Sequence, residues 1–241
     1  MLAISACWRP ISAVPRRTMT RKVAKSRSAP AAARAQQAVS VSFGGFVPTG
    51  ADGRVDGDVL LENRELLTFD IDDFNTGSVG LEWLIPVGDF FEVGAGVGYS
   101  SRTVPTVYAD YENRNGSEIE QDLRLRVAPV TATVRVLPFG RSRPVQPYVG
   151  VGVGAFSYRY SEVGDFIDFT DRSVFSDRFI AKGTEVGPVV LGGLRFALGD
   201  TWALGGEVRY QKAEADLSDD FLGPKLDLGG MHYLMTLNIR F

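Results

Sequence analysis

The sequence predicts an all-β fold, an eight-stranded antiparallel up-and-down transmembrane β-barrel. Three observations predict it. Apolar side chains recur at every second position in eight separate stretches, the pattern of a strand whose two faces meet different media. The connections between those stretches alternate strictly between long and short. Charged residues inside the stretches fall on the face opposite the valines, leucines and aromatics. The 241 residues contain no run of 18 apolar residues, so no stretch has the length of a membrane-crossing helix. Barrel strands alternate and escape that criterion.

The first strand, Val39 to Val47, puts Val39, Val41, Phe43 and Val47 on one face, and Pro48 stops it. A long acidic segment to about Asp73 contains a short helical or amphipathic piece, Val59 to Leu67. The second strand, about Asn75 to Ile85, sets Val79, Leu81, Trp83 and Ile85 against Gly80 and Glu82. Pro86-Val87-Gly88-Asp89 is a compact turn. The third, Phe90 to Ser101, sets Phe91, Val93, Ala95, Val97 and Tyr99 against Glu92, Gly94, Gly96 and Gly98. A polar loop from Arg102 to about Glu120 follows.

In the fourth strand, about Gln121 to Leu137, Val130, Ala132, Val134 and Val136 oppose Thr131, Thr133 and Arg135. Its earlier part, Leu123 to Val127, is apolar on the other parity, which predicts a bulge near Ala128-Pro129. Pro138 to Gln146 makes a turn. The fifth strand, Pro147 to Tyr160, sets Val149, Val151, Val153 and Ala155 against Gly150, Gly152 and Gly154. After a loop of roughly Ser161 to Lys182, the sixth strand, about Thr184 to Leu198, turns Val190, Leu194 and Phe196 outward and Glu185, Gly193 and Arg195 inward. Gly199-Asp200 is a hairpin signal. The seventh sets Trp202, Leu204, Val208 and Tyr210 against Ala203, Gly205, Glu207, Arg209 and Gln211. A fourth long loop, about Lys212 to Gly230, leads to the last strand, Met231 to Phe241.

The two faces are assigned on energetic grounds. Glu82, Glu92, Arg135, Arg195, Glu207, Arg209 and Arg240 all oppose the apolar face. A lipid-facing Arg or Lys at the bilayer midplane costs about 2–4 kcal/mol, and Asp or Glu less. Seven such residues facing lipid would consume a typical net stability of about 5–15 kcal/mol. They are therefore expected to line the lumen. The interior of an eight-stranded barrel is only wide enough for side chains to fill, so these charges are expected to pair with one another, with the inward glycines making room. Aromatic residues sort to the strand ends, and Trp83, Phe91, Tyr99, Tyr148, Phe196, Trp202 and Tyr210 are expected to form girdles at the two interfaces.

In the terminal strand Tyr233, Met235, Leu237, Ile239 and Phe241 alternate with mostly polar residues, Leu234 excepted, and the chain ends on the aromatic. This resembles the C-terminal strand of bacterial outer-membrane barrels, where it serves as the assembly signal. Gln146-Pro147-Tyr148-Val149-Gly150-Val151-Gly152-Val153-Gly154 is similar to a strand shared by the small barrels of that family, the OmpA-like and OmpW-like domains. The resemblance covers residues 38–241. It implies short periplasmic turns, long extracellular loops, an outer-membrane location, contact with outer-membrane lipid, recognition by the barrel-assembly machinery through the C-terminal strand, and a monomer. An OmpW-like transport role implies an apolar lumen, and the charges here depart from it. An extracellular ligand would bind at the loops.

Residues 1–35 carry eight basic residues and no acid, leaving 18 of the 26 basic residues against 29 acidic ones in the remainder. This segment is expected to be disordered, a remnant or mis-started signal peptide, with the barrel domain spanning 36–241. Ala33-Arg34-Ala35 fits a cleavage site, but the apolar core of about 7–15 residues is missing. The basic arm is not read as binding nucleic acid. Cys7 is the single cysteine and His232 the single histidine. No catalytic residue, cofactor or metal site is predicted. Barrel lipid A deacylases use a His and a Ser two residues apart on a membrane-facing strand, whereas here Leu234 stands two after His232, which faces inward. The acidic loops match no EF-hand. The first expectation is a barrel with a plugged, charged lumen and a structural or surface-interaction role. The alternative is a narrow channel gated by a Glu207–Arg195 or Glu207–Arg240 switch.

Overall fold

Alternating residues in eight segments face lipid on one side and packed side chains on the other, and the segments close on themselves to remove every edge. The computed structural model describes residues 36–241. The barrel strands are β1 (Ala38–Pro48), β2 (Thr76–Val87), β3 (Phe91–Glu112), β4 (Glu118–Val136), β5 (Val145–Asp168), β6 (Ser173–Ala197), β7 (Trp202–Gln211) and β10 (Gly230–Arg240). Two short strands, β8 (Glu214–Asp216) and β9 (Lys225–Asp227), pair separately. All ladders are antiparallel between sequence neighbours, and β1 closes the ring on β10 with Val39 opposite Ile239. The expectations for residues 1–35 lie outside the described residues.

The structure corrects the length of four strands. Membrane crossing takes about 9–11 residues per strand, but β5 has 24 and β6 has 25. Two of the expected long loops, Arg102 to Glu120 and Ser161 to Lys182, are instead strand extensions joined by turns at 113–117 and 169–172. The bulge expected near Ala128-Pro129 is also absent. Register runs unbroken there from Val136↔Val149 to Gln121↔Gly164. Leu123, Leu125 and Val127 share the inward parity of Thr131, Thr133 and Arg135. What changes is the outer medium. Inside the membrane the apolar side chains face lipid; above it they turn inward to a packed core while Asp122 and Arg124 face water.

That core is assembled from the first and fourth loops. A short helix, α1 (Val59–Arg64), sits with Leu67, Phe69, Ile71 and Phe74 against Leu123, Phe156 and Tyr160 of the extended strands and Phe221, Leu226 and Leu228 of the fourth loop. Asp58 caps α1 by accepting from the Leu60 N–H at 3.0 Å. Arg54 donates to both Asp58 oxygens, Nε at 2.8 Å and Nη2 at 2.9 Å, and to the Asp227 carbonyl at 3.0 Å. The Asp227 N–H donates to Asp58 at 2.6 Å. A fully enclosed ion pair thus clamps the first loop to β9.

Candidate functional site

The barrel interior is where the sequence concentrates its chemistry. On β2, β4 and β7 the inward parity places Glu82, Arg135, Glu207 and Arg209 at one level. Arg135, 1% exposed, donates through Nη2 to Glu82 and lies 3.0 Å from the Glu207 carboxylate. Arg209 donates to Glu207 at 2.7 Å and to Glu82 at 3.1 Å. Thr133 donates its hydroxyl to Glu82 at 2.9 Å, and Tyr148 donates to Glu207 at 3.0 Å. Each carboxylate therefore meets two guanidinium groups and a hydroxyl, which offsets much of the desolvation of burial.

A second group lies toward the periplasmic turns. Arg195 forms a forked pair with Glu92, 3.1 Å on each arm, and Arg141 approaches the same carboxylate at 3.3 Å. The Tyr148 ring lies between the two groups, with the Arg135 guanidinium 4.9 Å and that of Arg195 5.2 Å from its centroid. The ring faces bind both cations, so the two ion-pair groups join into one layer. Glycine is required beside it: a Cβ on Gly94 would strike the Glu82 carboxylate and come within 2.6 Å of the Thr133 hydroxyl, and one on Gly150 would come within 2.7 Å of the Val134 carbonyl.

Of the seven charges named from sequence, six meet in this layer. Arg240 does not: half-buried at the rim, it donates to the Gln146 amide oxygen at 3.0 Å. Neither gating pair forms, since Glu207 pairs with Arg135 and Arg209, while Arg195 pairs with Glu92. Tyr148 is a correction to the girdle. It is 2% exposed and points into the lumen, as its shared parity with Gly150 requires. Trp83, Phe91, Tyr99, Phe196, Trp202 and Tyr210 face outward, as do Tyr233, Met235 and Phe241; Leu237 and Ile239 share that parity and are half-buried. Phe156, Tyr158 and Tyr160 belong to the interior core.

Above the ion-pair layer, His232 meets Ser78 through Nδ1 and Gln211 through Nε2, each at 3.1 Å. Sequence reasoning missed both partners because they come from β2 and β7, not from the strand of His232. The adjoining cavity measures about 30 Å³, room for a water molecule and not for an organic substrate. Higher still, outside the membrane, Asn63 of α1 donates to Glu162 at 2.6 Å and Tyr160 donates to the same oxygen at 2.8 Å. Burial pushes the Glu162 carboxyl up, against the downward pull of those two hydrogen bonds. Burial and the neighbouring Glu162 push the Tyr160 phenol well up.

A closed antiparallel barrel with apolar residues turned outward and charge turned inward is an integral membrane barrel. The chain belongs to the outer membrane protein beta-barrel domain family, whose model matches residues 27–231, and its location is the bacterial outer membrane. Among solved structures it is similar to the attachment invasion locus protein of Yersinia pestis in complex with the heparin analogue sucrose octasulfate, at 12% identity over 86% of this chain and 98% of that one, TM-score 0.45. It is similar to neisserial surface protein A at 12% identity over 86% and 97%, TM-score 0.46. Similarity to Escherichia coli outer membrane protein W is 18% identity over 86% and 98%, TM-score 0.35. No curated protein sequence matches the chain.

Proposed function

We propose that the protein is a closed, monomeric outer-membrane barrel whose lumen is plugged and whose role is exercised at its extracellular surface. The observation that carries this reading is the double filling of the interior: the Glu82–Arg135–Glu207–Arg209 and Glu92–Arg195 pairs below, the α1-centred apolar core above. A solute would have to break both. The pair around His232 lacks the space an acyl substrate needs, which supports a structural reading over a hydrolytic one. At the outer end, Tyr111, Phe169 and Phe175 are exposed near the tips of the long hairpins. A groove of about 240 Å³ beside them is lined by Phe166, Phe169, Phe175, Phe179, Phe221 and Leu222. Aromatic side chains offer large contact area at low entropic cost, which suits contact with an extracellular ligand. In this reading the alternating terminal strand, Tyr233 to Phe241, is what the barrel-assembly machinery reads. Proteoliposomes carrying the folded protein should swell no faster than empty ones in isosmotic sugars or amino acids. Solute-dependent swelling would refute the closed barrel.

A further inference from the structure

On the outer wall, just above the lipid-facing band, three cations stand side by side across three strands. Arg126 of β4 lies directly opposite Arg159 of β5, which lies directly opposite Lys182 of β6. Like charges facing each other across a ladder are destabilising. Among the described residues none of the three has a carboxylate in ion-pair range. The Arg126 Nε is buried and has no hydrogen-bond partner among the described residues. Arg124 and Arg178 extend the patch upward, and the surface between them sinks into a groove of about 400 Å³ with a predominantly polar lining. Asp122 is the one acid in that lining.

Height identifies the occupant. On the same outward parity, Val130, Ala155 and Val186 lie four residues below Arg126, Arg159 and Lys182, in the apolar band. Four residues span about 13 Å of strand, or about 9 Å of height at a 45° tilt. Measured from residues inside the apolar band, that rise reaches the headgroup region, which adds about 5–8 Å to each side of a hydrocarbon core of about 30 Å. We propose that this groove binds the phosphate groups of a phosphorylated glycolipid in the outer leaflet. Arg126, Arg159 and Lys182 hold the phosphate through charge-assisted hydrogen bonds, Arg124 and Arg178 flank it, and Asp122 accepts from a sugar hydroxyl. The acyl chains lie along the valines beneath. An anion there relieves the repulsion within the row.

The test is native mass spectrometry of the full chain in an uncharged detergent. It is titrated with a bis-phosphorylated disaccharide glycolipid, with the same lipid after dephosphorylation, and with inorganic phosphate as competitor. The phosphorylated lipid should bind about tenfold more tightly, equivalent to about 1.4 kcal/mol. The triple variant Arg126→Gln/Arg159→Gln/Lys182→Gln should lose that preference, whereas Arg143→Gln, in the periplasmic turn, should keep it. Heat-modifiable gel migration shows that each variant is folded. Equal affinity for both lipids, or a triple variant that still discriminates, would overturn the proposal. Inorganic phosphate displacing the lipid at equal concentration would assign the groove to free phosphate and overturn the lipid assignment.

Discussion

Arg135→Met removes the guanidinium at the centre of the lumen layer and leaves a side chain of similar length in its place. In the native barrel Glu82 and Glu207 are matched by Arg135 and Arg209, while Glu92 pairs with Arg195 and, at the edge of the layer, Arg141. After substitution Glu82 and Glu207 share Arg209 alone, and one buried negative charge is uncompensated. Breaking a buried pair by removing one partner costs about 3–5 kcal/mol, a large part of a typical net stability of about 5–15 kcal/mol. The assay is equilibrium urea unfolding in detergent micelles, followed by gel migration and by the fluorescence of the outward Trp83 and Trp202. Adding Glu207→Gln to Arg135→Met removes the orphaned charge, so the double variant should recover part of the loss, with a coupling of about 0.5–3 kcal/mol. A loss below about 1 kcal/mol for Arg135→Met would refute the reasoning, because it would mean that water reaches the layer and solvates the carboxylates.

Two further predictions follow from the same interior. Gly94→Val drives its Cβ into the Glu82 carboxylate and the Thr133 hydroxyl and should destabilise the barrel by about 1–3 kcal/mol; an unchanged urea midpoint would contradict the packing described. In the cap, burial raises the Glu162 carboxyl above its unfolded value. The folded state then binds that proton more tightly than the unfolded chain, so the stability linked to it is fully present below the unfolded value and is lost as pH rises through the folded one. Glu162→Gln should accordingly raise stability at neutral pH and flatten the dependence in that window. A urea midpoint at pH 7.5 that falls in the variant would contradict this.

Most of the barrel is legible because lipid is a stringent solvent. Period two, the charge-free lipid-facing band and the terminal alternation each follow from its refusal of unpaired polar groups. The same logic went astray where lipid ends. Leu123, Leu125 and Val127 read as a change of strand phase, although it is the exterior that changes from lipid to water while the strand continues. Residue type points Tyr148 to a girdle, although its parity with Gly150 and Gly152 places it inside. Pairings within the lumen were less legible still. Parity shows that Glu207 and Arg195 both face inward, but ring stagger decides that Glu207 meets Arg135 and Arg195 meets Glu92. The Ser78–His232–Gln211 contact and the Arg54–Asp58 clamp join residues from 21 to 173 positions apart or from within one loop, and no local pattern announces them.

The central claim is that ion pairs and an apolar cap together close the barrel. The most direct measurement is single-channel recording of the folded protein in a planar bilayer. The account predicts a silent membrane at neutral pH, with insertion verified by the heat-modifiable band. Discrete, reproducible conductance steps from the unaltered protein would contradict it.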